Sequence, residues 1–168
     1  MPVCLESRID LGQFTGGQGA SMFQHFLVPL DGSELSERAA LVSLDLARKL
    51  GVRITGFVAE PVPPLPSMGS HAAAYARQAD EHQSRTEAHA REVLDHFEAR
   101  AREQGVTFAG QFRVAEAVDD AIVKAAVESG CDLIVMVTHG RGLFGELLFG
   151  SHTKNVLAHS KLPLLVLR

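Results

Sequence analysis

Apolar and polar positions along the chain fall into short blocks that change period. FQHFLVPL (23–30) is an apolar run closed by proline, the pattern of a buried strand. Over 33–51, Ala39, Val42, Leu46 and Leu50 recur at helical spacing and predict one buried stripe, with Gly51 where a helix stop belongs. VRITGFVAE (52–60) predicts a second strand. PVPPLPSMGS (61–70) carries four prolines, which forbid regular structure and make a semi-rigid loop. A long helix follows over 72–104, with Ala90, Leu94, Phe97 and Ala101 as its buried stripe and charged residues on the other faces.

VTFAGQFRVA (106–115) predicts the third strand. The helix over 118–130 opens with Asp119 and Asp120, where acids favour the positive end of the helix dipole. CDLIVMVTH (131–139) is apolar almost throughout, as a central parallel strand covered on both faces should be. A short helix over 151–160 sets Thr153, Val156, Leu157 and Ser160 on one side, and LPLLVLR (162–168) is the last strand.

The order βαβαβαβαβ implies an α/β fold: a three-layer α/β/α sandwich around a five-stranded parallel sheet, joined by right-handed crossovers. The expected strand order is the flavodoxin-like 3-2-1-4-5, shared with adenine nucleotide α-hydrolase-like domains. Ligands on such sheets bind beyond the carboxyl ends of the strands, where the strand order switches. Two unusual loops leave strand carboxyl ends: PLDGS after the first strand, and THGRGLFGELLFGS (138–151) after the fourth.

A chain of 168 residues suits one domain, placed at 22–168. Residues 1–21 end in TGGQGAS and read as a flexible N-terminal extension, with Met22 as an alternative translation start. The formal net charge is −4 and no stripe of Lys and Arg is present, which disfavours a nucleic-acid partner. No apolar run reaches the roughly 20 residues a membrane helix needs, so no membrane partner is expected. Two cysteines, Cys4 and Cys131, give no disulfide framework, and a cytoplasmic location is the simpler reading.

Four glycines in 138–151 raise the question of phosphate. Gly140, Gly142 and Gly145 fit G-x-G-x-x-G, but the dinucleotide fingerprint opens a βαβ unit with an acid about 20 residues on, and LLVL stands there instead. Gly145 and Gly150 fit the frame of a P-loop, but Ser151 and His152 follow where Lys and Ser or Thr are required.

A third pattern fits. Gly140, nine residues, then Gly150-Ser151 resembles the signature of the universal stress protein family. LVPLDGSELSERAA (27–40) is similar to the family's first strand and turn, and DLIVMVTHGRG and GSHTKNVLAHSKLPLLVLR are similar to its last strand pair. The resemblance covers 22–168. It implies a homodimeric stress-response module that binds an adenine nucleotide, namely ATP with or without Mg²⁺. Carried over residue by residue, adenine would lie against Pro29, Asp31 and Val58. Ribose and phosphates would lie along Met136, Val137, Gly140, Gly150, Ser151 and His152, with Arg141 and Lys154 as nearby cations. The physical logic agrees, because glycine-rich turns offer backbone N–H groups to anions and Ser151 would open a helix N-terminus.

There are departures. Val137 takes the place of the signature's first glycine, and its β-branched side chain stands where the family brings bare backbone to the ligand. After the third strand, Glu116 and Val118 replace the G-x-P of many members. Two alternatives therefore stay open: a protein acting through protein contacts without a nucleotide, and a weak ATPase or self-phosphorylating protein with Ser151 or Thr153 as acceptor.

Several residues also have plainer roles. Asp31 and Glu34 have capping-box spacing, Ser33 offers a second cap, and Ser151 is an ordinary N-cap. His82, His89 and His96 recur every seven residues, about 10.5 Å of helix rise, too far for neighbours to share a metal, so a solvated polar face is expected and no metal. His139 and His152 flank the glycine loop. No catalytic constellation is recognisable: no Ser–His–acid order, no S-G-G-x-D-S loop after the first strand, and no acid cluster of a phosphorylation receiver. The last strand, PLLVLR, is apolar and belongs at a sheet edge, which invites two-fold pairing with a second copy.

Overall fold

The computed structural model describes residues 22–62, 72–137 and 151–167. Its elements run β1 (His25–Pro29), α1 (Glu34–Leu50), β2 (Arg53–Pro61), α2 (Ala72–Glu103), β3 (Phe108–Ala115), α3 (Val118–Glu128), β4 (Leu133–Val137), α4 (Ser151–His159) and β5 (Leu164–Leu167). The strands form one sheet in the order β3-β2-β1-β4-β5. Every pairing is parallel. The α/β fold and the expected strand order are therefore as the block pattern implied.

Two cores sandwich the sheet. On one face Phe26, Val28, Ile54, Val58 and Val135 pack against Leu44 and Ala47 of α1 and Ala90, Phe97 and Ala101 of α2. On the other, Leu27, Phe57, Ile134 and Met136 pack against Ala121, Ile122 and Ala125 of α3 and Val156 of α4. Successive strand residues serve opposite faces, so β1 and β4 are buried on both sides and read as continuous apolar runs. The edge strand β3 is more exposed and polar.

Two stripes differ from the expectation. In α1, Val42 is 51% exposed and Leu50 40%, while Ser36, Ala39, Ala40, Ser43, Leu44 and Ala47 are buried. The buried face is built from small side chains that let the helix sit close to the sheet. Ser43 is tolerated there because its hydroxyl donates to the Ala39 carbonyl at 2.7 Å. In α4, Thr153 and Val156 are buried as expected, but Leu157 is 58% exposed and Ser160 lies past the helix end.

The start of α1 also corrects a reading. Ser33 is the N-cap, its hydroxyl accepting from the Ser36 N–H at 3.2 Å. Asp31 does not form a capping box with Glu34. Its Oδ1 accepts from the Ser33 N–H at 2.9 Å, a turn closed two residues ahead. At the other end of the sheet the Asp132 carboxylate accepts from the N–H groups of Gln24 and His25 at 2.7 and 3.0 Å, fastening β1 beside β4.

Candidate functional site

The chain moves from β1 to β2 on one side, while β4 pairs with β1 on the other. The strand order reverses between β1 and β4, and the crevice that such a reversal leaves lies outside the carboxyl ends of the strands. Pro29 ends β1, Val58 lies late in β2, and Met136 and Val137 end β4. These residues therefore sit on three adjacent strands near one end of the sheet. The register sets Leu27 opposite Ile134, so Pro29 and Met136, each two residues further on, leave neighbouring strands together.

Their side chains differ in what they can offer. Pro29 and Val137 are half-buried. Val58 is fully buried in the core beneath α1 and α2, and its backbone is paired with Phe112 in the ladder to β3. Met136 is buried in the opposite core. Val137 pairs with Leu167 of β5.

Asp31 is the exposed acid of the group, and its turn is held from several directions. The Leu30 N–H donates to the Phe57 carbonyl at 2.8 Å, tying the turn to β2. The Asp31 N–H donates to Ser36 Oγ at 3.1 Å, while Oδ1 is taken by the Ser33 N–H. Among the described residues Oδ2 of this exposed side chain accepts no hydrogen bond. Gly32 follows with φ +74°, a left-handed conformation that favours glycine.

Gly140, Arg141, Gly150 and His139 lie outside the described residues. Ser151 opens α4, as expected of a residue at a helix N-terminus. Lys154 is exposed on α4. His152 is also exposed, and its Nδ1 lies 3.4 Å from Asp119 Oδ1 at the start of α3. Burial pushes the Asp119 carboxyl up, but hydrogen bonds from its own backbone N–H, from Asn155 and from His152 outweigh this and hold it below the ordinary carboxylate range. About two turns further along α4, His159 Nδ1 lies 3.6 Å from Asp120 Oδ1. Asp119, Asp120 and His159 bring three ligand-type atoms within 4.8 Å of one another. Two acids in the first turn of a helix need no metal to explain them, because the helix dipole already favours them.

The long helix α2 reaches the same region from above. His89 Nε2 lies 3.4 Å from the Asp31 carbonyl oxygen and 3.9 Å from Glu60 Oε1 near the end of β2. His96 Nε2 lies 3.9 Å from Glu37 Oε1 on α1. The histidine face of α2 is thus partly turned to α1 and the strand ends rather than wholly to solvent. Between the two helices a cavity of about 290 Å³ is floored by Leu30, Ala40, Val93 and Phe97 and rimmed by His89 and Glu92. Seven-residue spacing brought His89 into view as part of a repeat, but nothing in it pointed to Asp31. Thr153, named as a possible phosphate acceptor, is buried. No helix among the described residues is long and apolar enough to cross a membrane.

These features define a doubly wound α/β module with its crevice at the β1/β4 switch point. A family model described as the universal stress protein family matches residues 22–168. A universal stress protein encoded in the QAH/OAS sulfhydrylase 3′ region of Thermus aquaticus is 34% identical over 149 residues, which are 88% of this chain and 100% of that protein. Among solved structures, a universal stress protein family member from Burkholderia pseudomallei is 28% identical with a TM-score of 0.66, covering 88% of this chain and 98% of that one. A universal stress protein in complex with cAMP is 26% identical with a TM-score of 0.58, covering 87% and 97%. The chain belongs to the universal stress protein family.

Proposed function

We propose that this protein binds an adenine nucleotide, ATP with its Mg²⁺ in the first instance, and acts as a homodimeric cytoplasmic module in stress signalling rather than in metabolic turnover. The observation that carries the reading is the exposed Asp31 turn at the β1/β4 switch point, with Oδ1 engaged by the Ser33 N–H and Oδ2 accepting no hydrogen bond among the described residues. In this reading Oδ2 accepts from the exocyclic amine of adenine, a donor that guanine lacks at that position. Pro29, Val58, Met136 and Val137 supply the walls. Ser151 and His152 at the start of α4 lie where free N–H groups and the helix dipole favour phosphate. Gly140, Arg141 and Gly150 keep the phosphate roles that the resemblance gives them. The cAMP complex of a family member at 26% identity supports an adenine ligand.

Calorimetric titration of the full chain with ATP and Mg²⁺, cAMP and GTP tests this. Heat is expected with ATP and little with GTP, and Asp31→Ala should abolish the difference. No heat from any adenine nucleotide at millimolar concentration would overturn the reading and favour action through protein contacts. That rival has one structural argument, the half-buried Val137 side chain at the strand end. Dimerisation is proposed through β5, an edge strand made of Leu164, Leu165, Val166 and Leu167. Light scattering should give twice the chain mass, and a monomer at tens of micromolar would refute it.

A further inference from the structure

We infer that His89 on α2 is a positioning residue for the β1–α1 turn and, through that turn, for the ligand-facing oxygen of Asp31. The inference rests on the nucleotide reading above. The Asp31 peptide is fastened on two sides from within its own loop and helix: its N–H donates to Ser36 Oγ at 3.1 Å, and its carboxylate Oδ1 accepts from the Ser33 N–H at 2.9 Å. Its carbonyl faces away from that loop, toward a residue 58 positions on, where His89 Nε2 stands 3.4 Å from it. A carbonyl only accepts, so the proton in this contact is on His89 Nε2.

The packing around the contact is close. A Cβ added at Gly32 would lie 3.0 Å from His89 Cε1 and 3.0 Å from Val93 Cγ2. Two residues four apart on α2 thus press on the peptide that follows Asp31. The same imidazole lies 3.9 Å from Glu60 Oε1 near the end of β2. One ring therefore touches the carboxyl ends of both strands that wall the adenine side of the crevice. The other titratable groups lining the cavity beside it are Glu92, His96 and Arg100 on α2 and Glu37 on α1. Without the Nε2–H the Asp31 carbonyl would have to find water, the turn would gain a second orientation, and Oδ2 would no longer be held toward the crevice.

His89→Gln carries an N–H at about the distance of Nε2 from the backbone, His89→Asn one too short to reach, and His89→Ala none. All three leave the buried stripe of α2 intact, because the His89 side chain is half exposed. Full-length protein titrated with ATP and Mg²⁺ should bind about two- to tenfold more weakly as His89→Ala or His89→Asn, the range of one lost hydrogen bond, and close to wild type as His89→Gln. In the ligand-free protein the backbone amide resonances of Asp31, Gly32 and Ser33 should move in His89→Ala and return toward wild type in His89→Gln. Equal affinity in wild type and His89→Ala would overturn the inference, as would equal weakening by Gln and Ala. If wild type binds no adenine nucleotide, the nucleotide reading fails by itself. The amide shifts then decide the turn contact, and unmoved amides in His89→Ala would end it.

Discussion

Gly56 and Gly110 face each other across β2 and β3, which makes them a matched pair for one substitution. Neither has a positive φ, so alanine meets no backbone strain at either. What differs is space. A Cβ at Gly56 would lie 2.6 Å from Phe108 Cε2, 2.7 Å from Phe108 Cζ and 3.2 Å from Leu30 Cδ1. Carbon atoms rest about 3.5–4.0 Å apart, so the Phe108 ring would have to retreat by about 1 Å. It is not free to do so, because it packs edge-on against Phe97 at 5.1 Å and 89°. Overpacking of this kind costs about 1–3 kcal/mol, against which alanine recovers about 0.5–1 kcal/mol of glycine's backbone entropy. From the middle of each range, Gly56→Ala should lose about 1 kcal/mol, or about 2–4 °C in Tm for a chain of this size. At Gly110 the nearest atoms, all of Leu94, would lie at 3.4 Å, so Gly110→Ala should be neutral or gain up to about 1 kcal/mol. Urea unfolding followed by circular dichroism measures both, with m unchanged as the condition for comparing midpoints. Phe108→Leu in the Gly56→Ala background should return part of the loss, since residues in contact are coupled by about 0.5–3 kcal/mol. A Gly56→Ala chain as stable as wild type, or a larger loss at Gly110, would refute the steric reasoning.

Three further outcomes follow from single groups. His25 is buried, with Nε2 2.8 Å from Thr55 Oγ1, and burial followed by the neighbouring Arg53 pushes its imidazole below the ordinary 6.5. The unfolded chain then takes up a proton first as pH falls, so the stability His25 contributes is complete above pH 6.5 and is lost as pH drops toward the lower folded value. Urea midpoints at several pH values should fall less steeply for His25→Gln than for wild type, and parallel curves would count against the assignment. Burial pushes the Cys131 thiol up to about 11, so it should resist iodoacetamide in the native chain at pH 8 and react once urea unfolds it, as read by peptide mass mapping. Native labelling of Cys131 would contradict this. Val137→Gly should tighten ATP severalfold in calorimetry while costing about 1–2 kcal/mol of stability from lost burial and strand glycine, and unchanged affinity would show that the valine does not obstruct the ligand.

Most of the fold was legible because parallel strands buried on both faces cannot hide. The run of β4 has no polar position to explain away, and Gly51 marks the end of α1 where the chain turns into β2. The buried face of α1 was misread for a related reason. Its core side is Ser36, Ala39, Ala40, Ser43, Leu44 and Ala47, and alanine and serine carry little hydropathy signal. Val42 lies about a third of a turn from the centre of the side that packs, and Leu50 is exposed because it ends the helix. Small residues were chosen there by the close approach of helix to sheet, a property of tertiary distance that a one-dimensional pattern does not encode. Leu157 on α4 repeats the lesson at smaller scale.

The candidate site was legible only where its residues are close in sequence to strand ends. Pro29, Asp31, Met136 and Val137 are what the family resemblance implies, and the rule that ligands meet such sheets at their carboxyl edge agrees with it. Which atoms they present did not follow. Val58 carries its side chain into the core, and Asp31 has one oxygen already engaged by its own turn. The least legible member was His89. Its seven-residue spacing to His82 and His96 describes a relation along one helix, whereas its contacts run to Asp31 and Glu60 on two other elements. Those contacts exist because right-handed crossovers place α1 and α2 side by side on one face of the sheet, so the start of one lies beneath the middle of the other. A residue that orients a site through backbone need not be near it in sequence, nor chemically rare. The position that gives it away is Gly32, where the absence of a side chain lets α2 come down onto the turn.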